Sequence, residues 1–265
     1  MLRPRIIPCL LIHRGGLVKT QAFKDPKYVG DPINAVRIFN EKQADEIIVL
    51  DIDATANRVP PDFGLITKLA AECRMPLCYG GGVTTSDHAA QLVDIGVEKV
   101  AVSSAAISNP SLLTQMAAAV GRQSVVAVLD VYKRTGLLSR GYQVCTHNAK
   151  IVHKSDIFLI AQQLQDAGAG EIVVNSVDRD GLMQGYDLEL ATQLKHTLNI
   201  PMTFLGGAGS LDHVSKLITR LGVVGAAAGS LFVFKGKYRA VLINYPPPEM
   251  KDKLCRQALG SHSSI

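Results

Sequence analysis

Five aspartates fall where apolar runs give way to loops: Asp51, Asp53, Asp130, Asp178 and Asp180. Carboxylates at strand ends bind phosphate poorly but move protons beside it well. A lone aspartate of this kind also caps helices and bonds loop amides. Close by are four small-residue loops: Tyr79-Gly80-Gly81-Gly82, Asp178-Arg179-Asp180-Gly181, Leu205-Gly206-Gly207-Ala208-Gly209 and Ala228-Gly229-Ser230. Glycine lets backbone amides approach a phosphate closely, although the same residues would serve plain tight turns. The loops pair up: Gly81, Gly82, Ser103 and Ser104 in the first half match Gly206, Gly207, Gly229 and Ser230 in the second. Four loops at related positions favour two facing anion sites, and so a substrate with a phosphate at each end.

The elements that position these residues are eight short apolar runs: Arg5-Ile12, Glu46-Ile52, Met75-Tyr79, Lys99-Ser103, Val125-Val131, Glu171-Ser176, Pro201-Leu205 and Val223-Ala228. Continuous rather than alternating hydrophobicity is expected of parallel strands covered on both faces. Helical patterns lie between them. Asp31-Pro32 and Asn109-Pro110 each place a capping residue before a first-turn proline, and Ser155 opens a helix ending near Gly168. Eight alternating units predict an α/β fold, a single (β/α)8 TIM barrel. An open doubly wound sheet is the alternative, but no G-x-G-x-x-G follows the first strand. One constant offset relates Glu46-Ile47 to Glu171-Ile172, Asp53 to Asp178, Pro76 to Pro201, Gly81-Gly82 to Gly206-Gly207 and Asp87-His88 to Asp212-His213. The barrel is therefore expected to be a twofold half-barrel repeat over residues 1–240, with 241–265 a partly loose tail. In this scheme Asp130 emerges from a buried strand at the mouth, and Leu11 occupies its counterpart in the first half. One carboxylate stands where a two-acid mechanism wants two.

Composition narrows the classes of function. The chain has 265 residues, 47% of them hydrophobic, with a net charge of +5 and no Trp. The charge is scattered, with no run of Lys/Arg and few aromatics, which argues against nucleic acid and membrane surfaces as partners. No apolar stretch approaches the ~20 residues of a membrane span. Five cysteines without C-x-x-C spacing suit a reducing, cytoplasmic setting better than a disulfide or zinc framework. Neither a metal nor a cofactor is expected.

Taken together, Arg5-Ile6-Ile7-Pro8-Cys9-Leu10, Val18-Lys19, Leu50-Asp51-Ile52, Gly80-Gly81-Gly82, Gly168-Ala169-Gly170-Glu171-Ile172, Asp178-Arg179-Asp180-Gly181 and Gly206-Gly207-Ala208-Gly209 resemble HisF. HisF is the cyclase subunit of imidazole glycerol phosphate synthase, and the likeness runs from about residue 3 to residue 236. The resemblance implies a two-phosphate substrate and a HisH-type glutaminase as heterodimer partner, whose ammonia passes through the barrel. It places an ammonia entrance at Arg5, Glu46, Lys99 and Glu171, where an ion-pair plug would use the same residues. It also implies a loop lysine at Lys19 that clamps an anionic substrate, and a catalytic aspartate at Asp130. Asp51, Ser176, Asp180 and Gly181 join the glycine and serine turns as substrate contacts.

The departures from the family pattern fall at the substrate pocket. Leu11 replaces the first of two aspartates, Ser103 an asparagine, Leu182 a threonine, and Asn175 a common threonine. A leucine neither accepts nor donates a proton, and losing one member of such a pair costs ~10²–10⁴-fold in rate. Ile7-Pro8-Cys9-Leu10-Leu11, Lys27-Tyr28-Val29-Gly30-Asp31-Pro32 and Ala228-Gly229-Ser230-Leu231-Phe232 look like HisF paralogues of surface-polysaccharide gene clusters. Those are linked with turning a sugar's acetamido group into an acetamidino group, with an ATP-dependent amidotransferase activating the amide. The expectation is thus an ammonia-dependent synthase subunit acting on a nucleotide-activated sugar. The alternatives are a working cyclase of histidine biosynthesis, with Asp51 or Asp178 covering for Leu11, and a non-catalytic scaffold that binds a phosphorylated ligand.

Overall fold

The computed structural model describes residues 3–136 and 139–262. Its frame is eight parallel strands: β1 (Arg5–His13), β2 (Ile47–Asp51), β3 (Leu77–Gly80), β4 (Lys99–Val102), β5 (Val125–Gly136), β6 (Glu171–Ser176), β7 (Met202–Leu205) and β8 (Gly225–Ala228). Each pairs with the next, and β1 pairs with β8 through Arg5↔Gly225 and Ile7↔Ala227, so the sheet closes on itself. The (β/α)8 barrel expected from the alternating pattern is what the chain forms.

Among the described residues, the eight longest helices surround it: α1 (Pro32–Glu41), α2 (Phe63–Glu72), α3 (Ser86–Asp94), α4 (Ser111–Val120), α5 (Ile157–Asp166), α6 (Leu188–Thr197), α7 (Leu211–Leu221) and α8 (Pro248–His262). The outer core lies between helices and strands, where Ile6, Leu10, Val49, Leu69, Leu92, Leu129 and Leu217 are sealed from solvent. A separate inner core fills the barrel axis with Ile7, Cys9, Ile48, Cys78, Val126, Val128 and Val173. Two faces buried on every strand explain why the strands read as unbroken apolar runs.

The repeat reaches down to the caps. Thr85 Oγ1 accepts the His88 amide at the start of α3, and Ser210 Oγ accepts the His213 amide at the start of α7. Both histidines return the bond, Nδ1 accepting the amide of Thr84 or of Gly209. Caps of this kind each stabilise a helix by ~1 kcal/mol. Asp31 caps α1 above Pro32 as the sequence suggests. Two other starts differ by one residue. Asp156 rather than Ser155 caps α5, because its carboxylate reaches the amides of both Phe158 and Leu159. Helix α4 begins at Ser111, and Asn109 takes the Ser111 hydroxyl instead of a backbone amide.

Two features lie beyond the simple alternation. After β1 the chain makes an antiparallel excursion, Gly16–Gln21 and Lys24–Gly30, and after β5 a second, Ser139–Thr146 with Ile151–Val152. These charged, turn-rich segments carry little hydrophobic periodicity, so no strand signal is legible there. The second feature is the tail. Residues after 240, read from sequence as partly loose, supply the eighth helix of the ring. Helix α8 packs on α7, with Lys251, Cys255 and Ala258 buried. Lys251 Nζ reaches Asp45 at 2.7 Å and the Gln43 carbonyl at 2.9 Å, and the Tyr245 hydroxyl donates to the Ile6 carbonyl at 2.8 Å. The triple proline before the helix and the weakly amphipathic α8 sequence hid it. Part of that expectation, residues 263–265, lies outside the described residues.

Candidate active site

A cavity opens at the carboxyl ends of the strands. Its lining includes Leu11, Lys19, Asp51, Gly81, Ser103, Ser104, Asp130, Asn175, Asp180, Gly181, Gly206, Gly207, Gly229 and Ser230. Gly82 lines an adjoining hollow that shares Gly81, Ser103 and Ser104 with the first. The two glycine turns are built alike. Gly81 and Gly206 have φ of +128° and +95°, and a Cβ at either would meet a backbone oxygen, of Asp51 or of Ser176, at 2.6 or 2.5 Å. Only glycine fits both the dihedral and the space.

The five strand-end aspartates separate into two groups. Asp53 accepts the Arg14 amide and bonds His13 Nδ1, each at 2.8 Å, fastening the excursion after β1. Asp178, its repeat mate, accepts the Lys133 amide and fastens the excursion after β5. Both are structural, and Asp178 does not line the cavity, so it is not placed to cover for Leu11. Asp51, Asp130 and Asp180 do line it. Asp51 is partly engaged, accepting the amides of Asp53 and Ala54 at 2.8 and 3.1 Å; burial raises its pKa. Asp130, on β5, is pushed up to about 6 by burial, against a 3.0 Å hydrogen bond from Asn175 Nδ2; the Asp180 charge pushes it further up. A carboxyl poised there exchanges protons near neutral pH.

The first excursion folds across the mouth. Asp180 accepts the Thr20 hydroxyl at 2.6 Å and its carbonyl accepts the Ala22 amide at 3.0 Å. Gly181 lets this happen, since a Cβ there would lie 2.1 Å from the Thr20 oxygen. Lys19, expected on a loop, is on the strand Gly16–Gln21 and buried, donating to the Cys9 carbonyl. Burial lowers its pKa. Gly229 leaves room for its ammonium, which a Cβ would approach to 2.3 Å.

Ser176 is buried behind the Gly206 turn and does not reach the cavity. Residues not singled out as site candidates do reach it: Thr20, His147, Asn148 and Asn175. Position 175 was visible as a departure from the family pattern. His147 and Asn148 come from the second excursion, for which the sequence carried no signal; Asn148 Nδ2 bonds the Ile52 carbonyl at 2.8 Å.

At the other end of the axis, Arg5, Glu46, Lys99 and Glu171 meet in a ring. Arg5 bridges Glu46 and Glu171, the latter at 2.7 Å. Lys99 Nζ reaches Glu46 at 2.9 Å and Glu171 at 2.8 Å. Thr203 adds a hydroxyl to Glu171 at 2.6 Å. Burial would raise the Glu171 pKa, but Arg5 and Lys99 outweigh it and hold the carboxyl at about 2. Two cations and two anions neutralise one another in a place where any one alone would be costly. Apolar Ile7, Ile48, Cys78, Val126 and Val173 separate the ring from the cavity.

The fold and site define a class: a twofold-repeat TIM barrel with two matched glycine turns and an acid at its carboxyl end. A model of the family described as histidine biosynthesis protein matches residues 5–239. The chain is 53% identical over 253 residues to the provisionally named imidazole glycerol phosphate synthase subunit hisF3 of Vibrio vulnificus, covering 96% of each chain. It is 49% identical over 246 residues to the provisionally named subunit hisF2 of Pseudomonas aeruginosa, covering 93% of this chain and 97% of that one. Against imidazole glycerol phosphate synthase subunit HisF of Clostridium botulinum it is 36% identical over 235 residues, covering 89% and 92%. The chain belongs to the histidine biosynthesis protein family, as a HisF paralogue.

Proposed function

We propose that this chain is the ammonia-using subunit of a glutamine-dependent synthase and acts on an acceptor other than the cyclase precursor. The observation that carries this reading is the cavity's asymmetry. Both glycine turns and Asp130 are kept, while Leu11 stands opposite with a side chain that cannot relay a proton. The charged ring and apolar axis suit passage of uncharged ammonia from a HisH-type glutaminase docked at the amino end. The acceptor is a nucleotide-activated acetamido sugar, its phosphates lying on the glycine and serine turns. The amide oxygen is activated by an ATP-dependent partner. Ammonia nitrogen then bonds to the amide carbon, the activated oxygen leaves, and a proton passes to Asp130, giving the amidine. We place this chemistry in the cytoplasm, where glutamine and ATP are supplied.

A second reading has one observation in its favour: Asp51 and Asp180 share the cavity with Asp130, so a cyclase pair is chemically available. One experiment separates the two. The purified chain is given ammonium and the formimino ribonucleotide of histidine biosynthesis, and absorbance is followed. Our reading expects turnover at least ~10²-fold below that of a two-aspartate cyclase. Turnover at ordinary enzyme rates, abolished by Asp130→Asn, would overturn it.

A further inference from the structure

Asn175 lies on β6 between Asp130 of β5 and Leu205 of β7, opposite both in register. It lines the cavity, yet it is only 5% exposed. Its two polar atoms have different fates. Nδ2 donates to Asp130 Oδ1 at 3.0 Å. Oδ1 is buried and has no hydrogen-bond partner. It rests against the Gly206 turn, 3.1 Å from where a Cβ of that residue would be, and Gly206 lines the cavity beside it. Buried amide oxygens are nearly always satisfied, and an unmet one carries a standing cost that a suitable donor removes.

We propose that Asn175 is a specificity-determining residue, its Oδ1 accepting the N–H of a secondary amide on the substrate while neighbouring Asp130 faces the amide carbonyl. This rests on the ammonia-acceptor reading above and assigns recognition of the acceptor's N-acyl group to one side chain. An amide presents one donor and one acceptor side by side. The Asn175–Asp130 pair presents the complement, because a carboxyl held at about 6 carries its proton part of the time near neutrality. A hydroxyl in place of the acylamino group has no carbonyl to meet Asp130. A site whose buried polar groups are left unpaired by the wrong ligand rejects it strongly. Threonine, common in the family at this position, has one oxygen where the carboxamide has two separate polar atoms.

The test uses the full-length chain and three probes in calorimetry: UDP-N-acetylglucosamine, UDP-glucose and inorganic phosphate. We expect the acetamido sugar to bind at least tenfold more tightly than its hydroxyl counterpart. Asn175→Leu and the milder Asn175→Thr should each bring that ratio to within twofold of one, with phosphate binding within twofold of the parent. Because Asn175 Nδ2 favours the ionised form of Asp130, Asn175→Leu should also raise the Asp130 pKa, followed by carboxyl-carbon NMR; a merely space-filling asparagine would leave it unmoved. No preference in the parent, a preference kept by both variants, or failure of both sugars to bind while phosphate binds would overturn the proposal alone. Loss of phosphate binding in the parent would bring down the anion-cradle reading with it.

Discussion

Replacing Glu171 with glutamine tests how much the charged ring contributes to the fold. Glu171 is 4% exposed and accepts from Arg5, Lys99 and Thr203. Its carboxyl moves from the ordinary 4.5 to about 2 on folding. A shift of that size corresponds to ~3 kcal/mol of stability for the ionised form. The variant leaves two cations facing one anion, so the loss at pH 7 should be about 3 kcal/mol, or roughly 6–10 °C in Tm for a chain of this size. The sign with pH follows from the depressed folded value. The contribution is fully present well above 4.5 and fades as pH falls towards 2. Thermal or urea unfolding of both proteins at pH 7 and pH 3.5 should therefore show the gap narrowing by about 1.4 kcal/mol, since glutamine does not titrate. A gap that stays constant across this window, or a variant as stable as the parent at pH 7, would refute the reasoning.

Three other outcomes follow from the same structure. Asp130 is raised on folding, so the stability it confers is present below 3.8 and lost as pH climbs through about 6; Asp130→Asn should stabilise the protein at pH 7 by up to ~3 kcal/mol while abolishing turnover, with most of the gain gone by pH 4 in denaturant titrations. Leu11→Asp should raise turnover of the formimino ribonucleotide by ~10²-fold or more, at a cost of about 1–3 kcal/mol from a carboxyl beside the apolar axis. Tyr245→Phe removes the bond to the Ile6 carbonyl and should cost ~1–2 kcal/mol, read as a fall in Tm without change in phosphate binding.

What could be read in advance depended on how local the governing physics is. Strands buried on both faces announce themselves as apolar runs, and a gene-scale repeat survives as matched residues, so the eight strands and the two glycine turns were visible. The roles of the aspartates were less so. Asp53 and Asp178 occupy positions as suggestive as Asp130, but each faces an amide of an excursion that has no hydrophobic pattern. Position within a strand cannot tell a carboxylate aimed at a cavity from one aimed at a backbone. Asn175 illustrates the same limit in reverse: an ordinary strand residue by pattern, it becomes chemically pointed only when its neighbours across the sheet are known. Helix α8 went unread because its stability comes from partners such as Asp45 and Gln43, about two hundred positions away.

The seam between β1 and β8 joins residues from opposite ends of the sheet, Arg5 to Gly225. The four members of the ring come from β1, the approach to β2, β4 and β6, so no half of the barrel holds a complete set. A partly assembled barrel leaves these charges in water, where pairing contributes little; the full set, with Glu171 bridging Arg5 and Lys99, forms only when the two halves come together. Such an arrangement penalises intermediates and rewards all-or-none assembly. Displacing a strand that carries a single member, Lys99 on β4 or Glu171 on β6, leaves the opposite charges unbalanced at the hub, so the ring resists partial opening there.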